Sequence, residues 1–87
     1  MAKAKNIEKE YAILTESVAL NVREIRLRRG LTQEQLAERA GLHRTRVVEI
    51  EGQRYVPLMK TILNLAIALG VEFEDLCKTH SSLEKRG

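Results

Sequence analysis

Arg44, Thr45 and Arg46 stand side by side in the stretch LTQEQLAERAGLHRTRVVEIE, residues 31–51, with Glu49 one helical turn further on. A guanidinium offers a planar fork of donors that matches a phosphate, a carboxylate or the hydrogen-bonding edge of a base. Two arginines flanking a hydroxyl are therefore suited to gripping an anion or reading an edge. The wider charge pattern points the same way. Residues 23–60 hold nine Lys or Arg against five Glu, and eight of those nine cations are arginine. Residues 1–22 instead balance Lys3, Lys5 and Lys9 with Glu8, Glu10 and Glu16. A solvated helix face would use lysine as readily, so an ordinary charged surface stays open as the competing reading at this level. Catalysis finds no support, because no Ser/His/Asp, Cys/His or paired-carboxylate constellation converges. His43 and His80 lie far apart without partners, which argues against a metal site, and Cys77 is the single cysteine, which excludes an internal disulfide. No cofactor or small-molecule ligand is indicated.

The elements that must position these residues are helices with short joints. Val18, Val22 and Ile25, with Leu14 before them, recur at helical spacing and predict a first helix from about Ser17 to Arg29, stopped by Gly30. Thr32 and Gln35 have the spacing of a capping box and open a second helix whose apolar stripe is Leu36, Ala37 and Ala40. Gly41 supplies the positive φ of a sharp exit. A third helix is expected from about His43 to Glu51, burying Val47 and Ile50, with Gly52 at its end. Pro57 opens a fourth, to about Leu69, with Ile62, Leu65, Ala66 and Leu69 inward and Gly70 as its stop. A last short turn, Glu72 to Cys77, is expected to bury Phe73 and Leu76.

At 87 residues, with Tyr11, Tyr55 and Phe73 its only aromatics, the chain can build one modest aliphatic core and reads as all-α. The apolar run from Ile62 to Leu69 is broken by Asn64 and is too short to span a bilayer, and the N-terminus has no secretory apolar region. A lone cysteine and no leader suggest the cytoplasm.

Counted from Gln33, the fifth residue is Ala37, the ninth Gly41, the fifteenth Val47 and the eighteenth Ile50. Ala37 must be small where two helices touch, Gly41 turns the chain, and Val47 with Ile50 fills the wedge. This pattern resembles the helix-turn-helix of the phage lambda repressor-like family, also called the Cro or XRE type. VREIRLRRGLTQEQLAERAG is similar to that family's first two helices, RTRVVEIE to its third and VPLMKTILNLAIALGV to its fourth, so residues 18 to 77 are covered. The resemblance implies a five-helix DNA-binding domain at 17–78, an N-terminal extension at 1–16 and a tail at 79–87.

It also implies roles. The third helix would lie in the major groove of double-stranded DNA and offer Arg44, Thr45, Arg46 and Glu49 to base edges, Arg44 foremost, with Arg46 turning more to phosphate. Glu49 would accept from a cytosine amino group or orient Arg46. Arg23, Gln33, His43, Gln53, Arg54 and Tyr55 would hold backbone phosphates, His43 doubling as a helix cap. Arg26 and Glu51 would form a structural ion pair between the first helix and the end of the third. A homodimer reading a palindrome is expected, with Ile67, Val71, Phe73 and Leu76 as interface candidates; a monomer core is the other place for them.

The chain departs from the family pattern in places. Gly52 comes one residue early, leaving Gln53 where positive φ is wanted, and Leu58 takes a common serine cap position. Ile67 and Leu27 are apolar where polar residues are usual, which suggests a covering partner. In residues 1–16, Ile7, Tyr11 and Leu14 continue the helical spacing into Val18, so this segment reads either as an added helix packed on its own domain or on a second subunit or, at residues 1–5 above all, as a frayed arm. The function expected is that of a transcriptional regulator that occludes a promoter or touches RNA polymerase, similar in size and reading helix to the controller proteins of restriction-modification systems. An antitoxin or other protein-interaction module is the alternative.

Overall fold

The first helix, α1, spans Ile7–Arg28 in a computed structural model that describes residues 6–84. It starts well before Ser17 because Asn6 caps it. The Asn6 side chain accepts from the Lys9 amide at 3.2 Å, while Glu8 and Glu10 in the first turn and Arg26 and Arg28 in the last suit the helix dipole. The expected division between residues 16 and 17 thus falls inside one continuous helix. The arm expected to fray at residues 1–5 lies outside the described residues.

Thr32 and Gln35 close a reciprocal capping box at the start of α2, Gln33–Ala40. Gly41 ends α2 at φ 69°, and the Leu42 amide reaches back to the Ala37 carbonyl at 2.8 Å. Three residues later α3, Arg44–Glu51, begins behind the cap His43. Its end shows how the early glycine is accommodated. Gly52 stays at φ −87°, and Gln53 takes the left-handed position at φ 59°. The Arg54 amide then bonds Glu49 O at 2.8 Å and the Gln53 amide bonds Ile50 O at 3.1 Å, the paired closure of a Schellman turn with glutamine where glycine is usual.

The fourth helix, α4, spans Met59–Leu69 and begins later than Pro57, with Leu58 giving it no side-chain cap. Gly70 ends it at φ 72°. Next comes α5, Phe73–Cys77, opened by Glu72 and Asp75 in a capping box. The segment expected as a tail forms one more turn, α6, Ser81–Glu84.

The core gathers Val18 and Val22 of α1, Leu31, Leu36, Ala37 and Ala40 around α2, Val47 and Ile50 of α3, Leu65, Ala66 and Leu69 of α4, and Leu76 of α5. Phe73 is only half-buried. Polar ties complete the packing. Asn21 donates to the carbonyls of Leu76 and Lys78 at 2.9 and 2.8 Å, which secures the open end of α5. Arg29 donates from Nε to Leu69 O at 3.0 Å and does the same for α4. His80, which the sequence left without a partner, is buried. Its Nδ1 accepts from the Ser82 amide at 3.0 Å and its Nε2 meets Glu24 Oε2 at 3.0 Å, so the chain after α5 is docked on α1.

Candidate nucleic-acid interface

Helical periodicity divides α3 into two faces. Val47 and Ile50 are buried in the core, while Arg44 and Thr45 are exposed at the N-terminal end. His43 caps this end by accepting the Thr45 amide on Nδ1 at 3.1 Å.

The two arginines beside Thr45 differ in environment. The Arg46 guanidinium lies over the Tyr55 ring, 3.6 Å from its centroid, and its Nη1 donates to Glu49 Oε1 at 3.3 Å. Stacking and pairing hold it in one orientation. Among the described residues Arg44 has no such partner, and its fork of donors is open to whatever α3 docks against.

Beneath this surface Arg26 Nε and Nη2 donate to the two carboxylate oxygens of Glu51 at 2.7 and 3.0 Å. Both side chains are nearly buried, 9% and 5% exposed. Arg26 Nη1 also donates to Leu31 O at 2.8 Å, and Gln33 Nε2 donates to Glu51 Oε1 at 3.2 Å. One carboxylate therefore joins α1, α2 and the end of α3. Gln33 spends a side-chain donor inside this network, while its backbone N–H, in the first turn of α2, has no helical acceptor.

Over the pair runs a groove lined by Arg23, Gln33, Val48, Gly52 and Arg54. The Arg54 guanidinium passes close to Gly52, where a Cβ would stand 3.5 and 3.6 Å from its Nε and Nη2. Glu51 neutralises Arg26, whereas Arg23 and Arg54 are exposed and without ion-pair partners among the described residues. The groove is net positive and fits an anion.

Of the residues singled out from sequence, Arg44, Thr45, Arg46 and Glu49 share one surface, and Arg23, Gln33 and Arg54 share the adjoining groove. Gln53 is exposed in the turn after α3, and Tyr55 supports Arg46. Two features went unread. Val48, one turn on from Arg44, reaches the groove; its helical offset from Arg44 could have shown this. The stack of Tyr55 on Arg46 crosses a turn and left no periodic trace. The interface candidates separate. Ile67 is 70% exposed, Val71 and Phe73 are half-buried, and Leu76 has no exposed surface at all. Leu76 belongs to the chain's own core, because Asn21 pulls α5 tightly onto α1. Among the described residues no cluster of His, Cys, Asp and Glu could hold a metal ion, and no helix is long and apolar enough to cross a membrane.

The helix-turn-helix family model HTH_3 matches residues 22–76, the span that carries this surface and its supports. The chain is 35% identical over 74 residues to control protein C.SmaI of Serratia marcescens, covering 85% of this chain and 88% of that one. It is 43% identical over 56 residues to the immunity repressor protein of Bacillus phage phi105, covering 64% of this chain but only 39% of the repressor. The crystal structure of the restriction-modification controller protein C.AhdI from Aeromonas hydrophila superposes with a TM-score of 0.69 at 35% identity, over 71% of this chain and 94% of that one. With the motif, the fold and these likenesses in agreement, the chain belongs to the Cro/XRE-type helix-turn-helix family of DNA-binding transcriptional regulators.

Proposed function

We propose that this chain is a homodimeric, sequence-specific regulator that binds a palindromic operator and serves as the controller of a restriction-modification operon. The observation that carries the reading is the unequal treatment of the two arginines on α3: Arg46 is held by Tyr55 and Glu49, while Arg44 stands open at the exposed end. An open, bidentate donor at the N-terminal end of a reading helix is suited to guanine O6 and N7. Thr45 is placed for a thymine methyl or a phosphate, and Val48 for an apolar contact deeper in the groove. Arg46, oriented by Glu49, serves phosphate or a neighbouring base. Arg23, Arg54, Gln53, His43 and the α2 N-terminus at Gln33 supply backbone contacts, which set register without reading sequence. The buried Arg26–Glu51 pair keeps α3 at a fixed angle to α1 and takes no part in binding.

One domain covers one half-site, so a palindrome read by two copies places the reading helices about 34 Å apart. The outward face of α4, centred on Leu63 and Ile67, supports the dimer, with Val71 and Phe73 at its edge. Regulation then follows from position, by covering a promoter or meeting RNA polymerase from a neighbouring site in the cytoplasm. The controller assignment rests on likeness to C.SmaI and C.AhdI.

The test is selection of bound sequences from random duplex DNA with the full chain. A palindrome with half-site centres one helical turn apart is expected. A pool that stays random after repeated rounds would overturn the reading.

A further inference from the structure

The apolar stripe of α1 outruns the domain. Val18 and Val22 are buried in the core, and the same helical spacing continues backwards through Leu14, Tyr11 and Ile7. No residue of α1 before Ser17 is buried. Ile7, Tyr11 and Leu14 are 79%, 52% and 43% exposed, an apolar edge along two helical turns that the chain's own elements leave uncovered. A second uncovered edge runs along α4, where Met59, Leu63 and Ile67 recur every four residues and are 74%, 47% and 70% exposed. At 1.5 Å per residue the first edge is roughly 10 Å long and the second roughly 12 Å, so they match in length.

We propose that the α1 arm, residues 7–14, packs on the Met59–Leu63–Ile67 face of a second copy of this chain, each copy lending its arm to the other. The proposal rests on the homodimer reading above and adds what completes the interface. Area is the reason. With about 200 Å² for a whole side chain of this size, the α4 edge offers roughly 400 Å² per copy, and two such edges pressed together would bury on the order of 800 Å². A stable specific interface needs about 1,200 Å² or more. The arm offers a similar area to the α4 edge, and exchange of both arms brings the total into that range. It also covers both apolar edges at once, whereas pairing α4 with α4 leaves the arms bare.

Tyr11 and Leu63 stand at the centres of the two edges, so they face each other whichever way the helices run. Two measurements on the full chain test this. Sedimentation equilibrium is expected to show a dimer whose dissociation constant rises about tenfold in Tyr11→Asp and in Ile67→Asp, with the helical circular-dichroism signal kept, since both residues are exposed. In a Cys77→Ser background, chains carrying Tyr11→Cys mixed with chains carrying Leu63→Cys are expected to form a mixed disulfide dimer. A dimer broken by Ile67→Asp yet indifferent to Tyr11→Asp, with no mixed disulfide, overturns the arm exchange and leaves the homodimer standing. A Tyr11→Cys disulfide with itself in place of the mixed one assigns the arm to the other arm and overturns the proposal too. A wild-type chain that stays monomeric at every concentration, bound to DNA or free, removes the homodimer reading and the exchange with it.

Discussion

Arg44 and Arg46 sit two positions apart and have the same side chain, yet their surroundings differ. A guanidinium stacked on Tyr55 and bonded to Glu49 is already satisfied in part and gains less from a new partner. One without such bonds gains its full fork of hydrogen bonds on docking. Replacing Arg44 with alanine is expected to weaken the selected operator by about 1–3 kcal/mol while binding to unrelated duplex changes little. Gel-shift titrations on both DNAs check this, and an equal loss on both would make Arg44 a phosphate ligand. For Arg54, in the positive groove, the expected effect of Arg54→Ala is a loss of about one unit in the slope of log affinity against log salt. Affinities measured across a salt series with an unaltered slope would remove Arg54 from the phosphate set. At Cys77 burial and, less strongly, the nearby Glu74 carboxylate push the thiol up from its usual range. The neutral thiol is thus favoured in the folded chain. Stability is therefore unaffected below the unfolded thiol's value and falls as pH climbs from there through the folded one. Alkylation of Cys77 near pH 8 is expected to run slower in the native protein than in urea; equal rates would contradict the shift.

At the scale of elements, the exit of α3 shows a helix end built from the wrong residue type. A Schellman closure wants a left-handed residue at Gln53, and the glycine stands one place too early. Since a non-glycine residue pays about 1 kcal/mol or more in that region, Gln53→Gly is expected to stabilise the fold by about 0.5–1 kcal/mol after the added freedom of the unfolded chain is subtracted. A raised midpoint in thermal unfolding is the sign to look for, and a lowered one would mean that the Gln53 side chain holds something more. The opposite sign applies where α1, α2 and α3 meet. Glu51→Ala strands the Arg26 guanidinium in a nearly closed site and frees Gln33. A loss of about 3–5 kcal/mol in urea unfolding is expected.

Over the whole molecule, the two uncovered apolar edges lie on α1 and α4, elements other than the α3 that carries Arg44 and Arg46. Ile67→Asp, on a side chain 70% exposed, is expected to leave the fold intact and to abolish cooperative occupation of the two half-sites. Binding curves on a full palindrome and on a single half-site measure this. If the substituted chain still fills both halves cooperatively, α4 is not part of the interface.

The helices, their order and most of their ends were legible in the sequence because each depends on short-range chemistry. The Thr32–Gln35 box, the left-handed glycines at 41 and 70 and the apolar spacing of α2 to α5 all act within a few residues. Position by position, the resemblance over residues 18 to 77 also put Arg44 at the start of the third helix and set Arg26 against Glu51. The exceptions were the α1 start, the α4 start two residues after Pro57 and the added turn α6. The α1 spacing could be traced back to Ile7, but whether that stretch closes into one helix depends on a cap at Asn6 and on continuity through Glu16. Tertiary structure alone decided what lies across a turn or between distant segments. It put Tyr55 under Arg46, drew Gln33 into the Glu51 network, sank Leu76 beneath Asn21 and docked His80 on Glu24. Such pairings leave no period to read, because the residues meet only after the helices have packed and burial has chosen their partners.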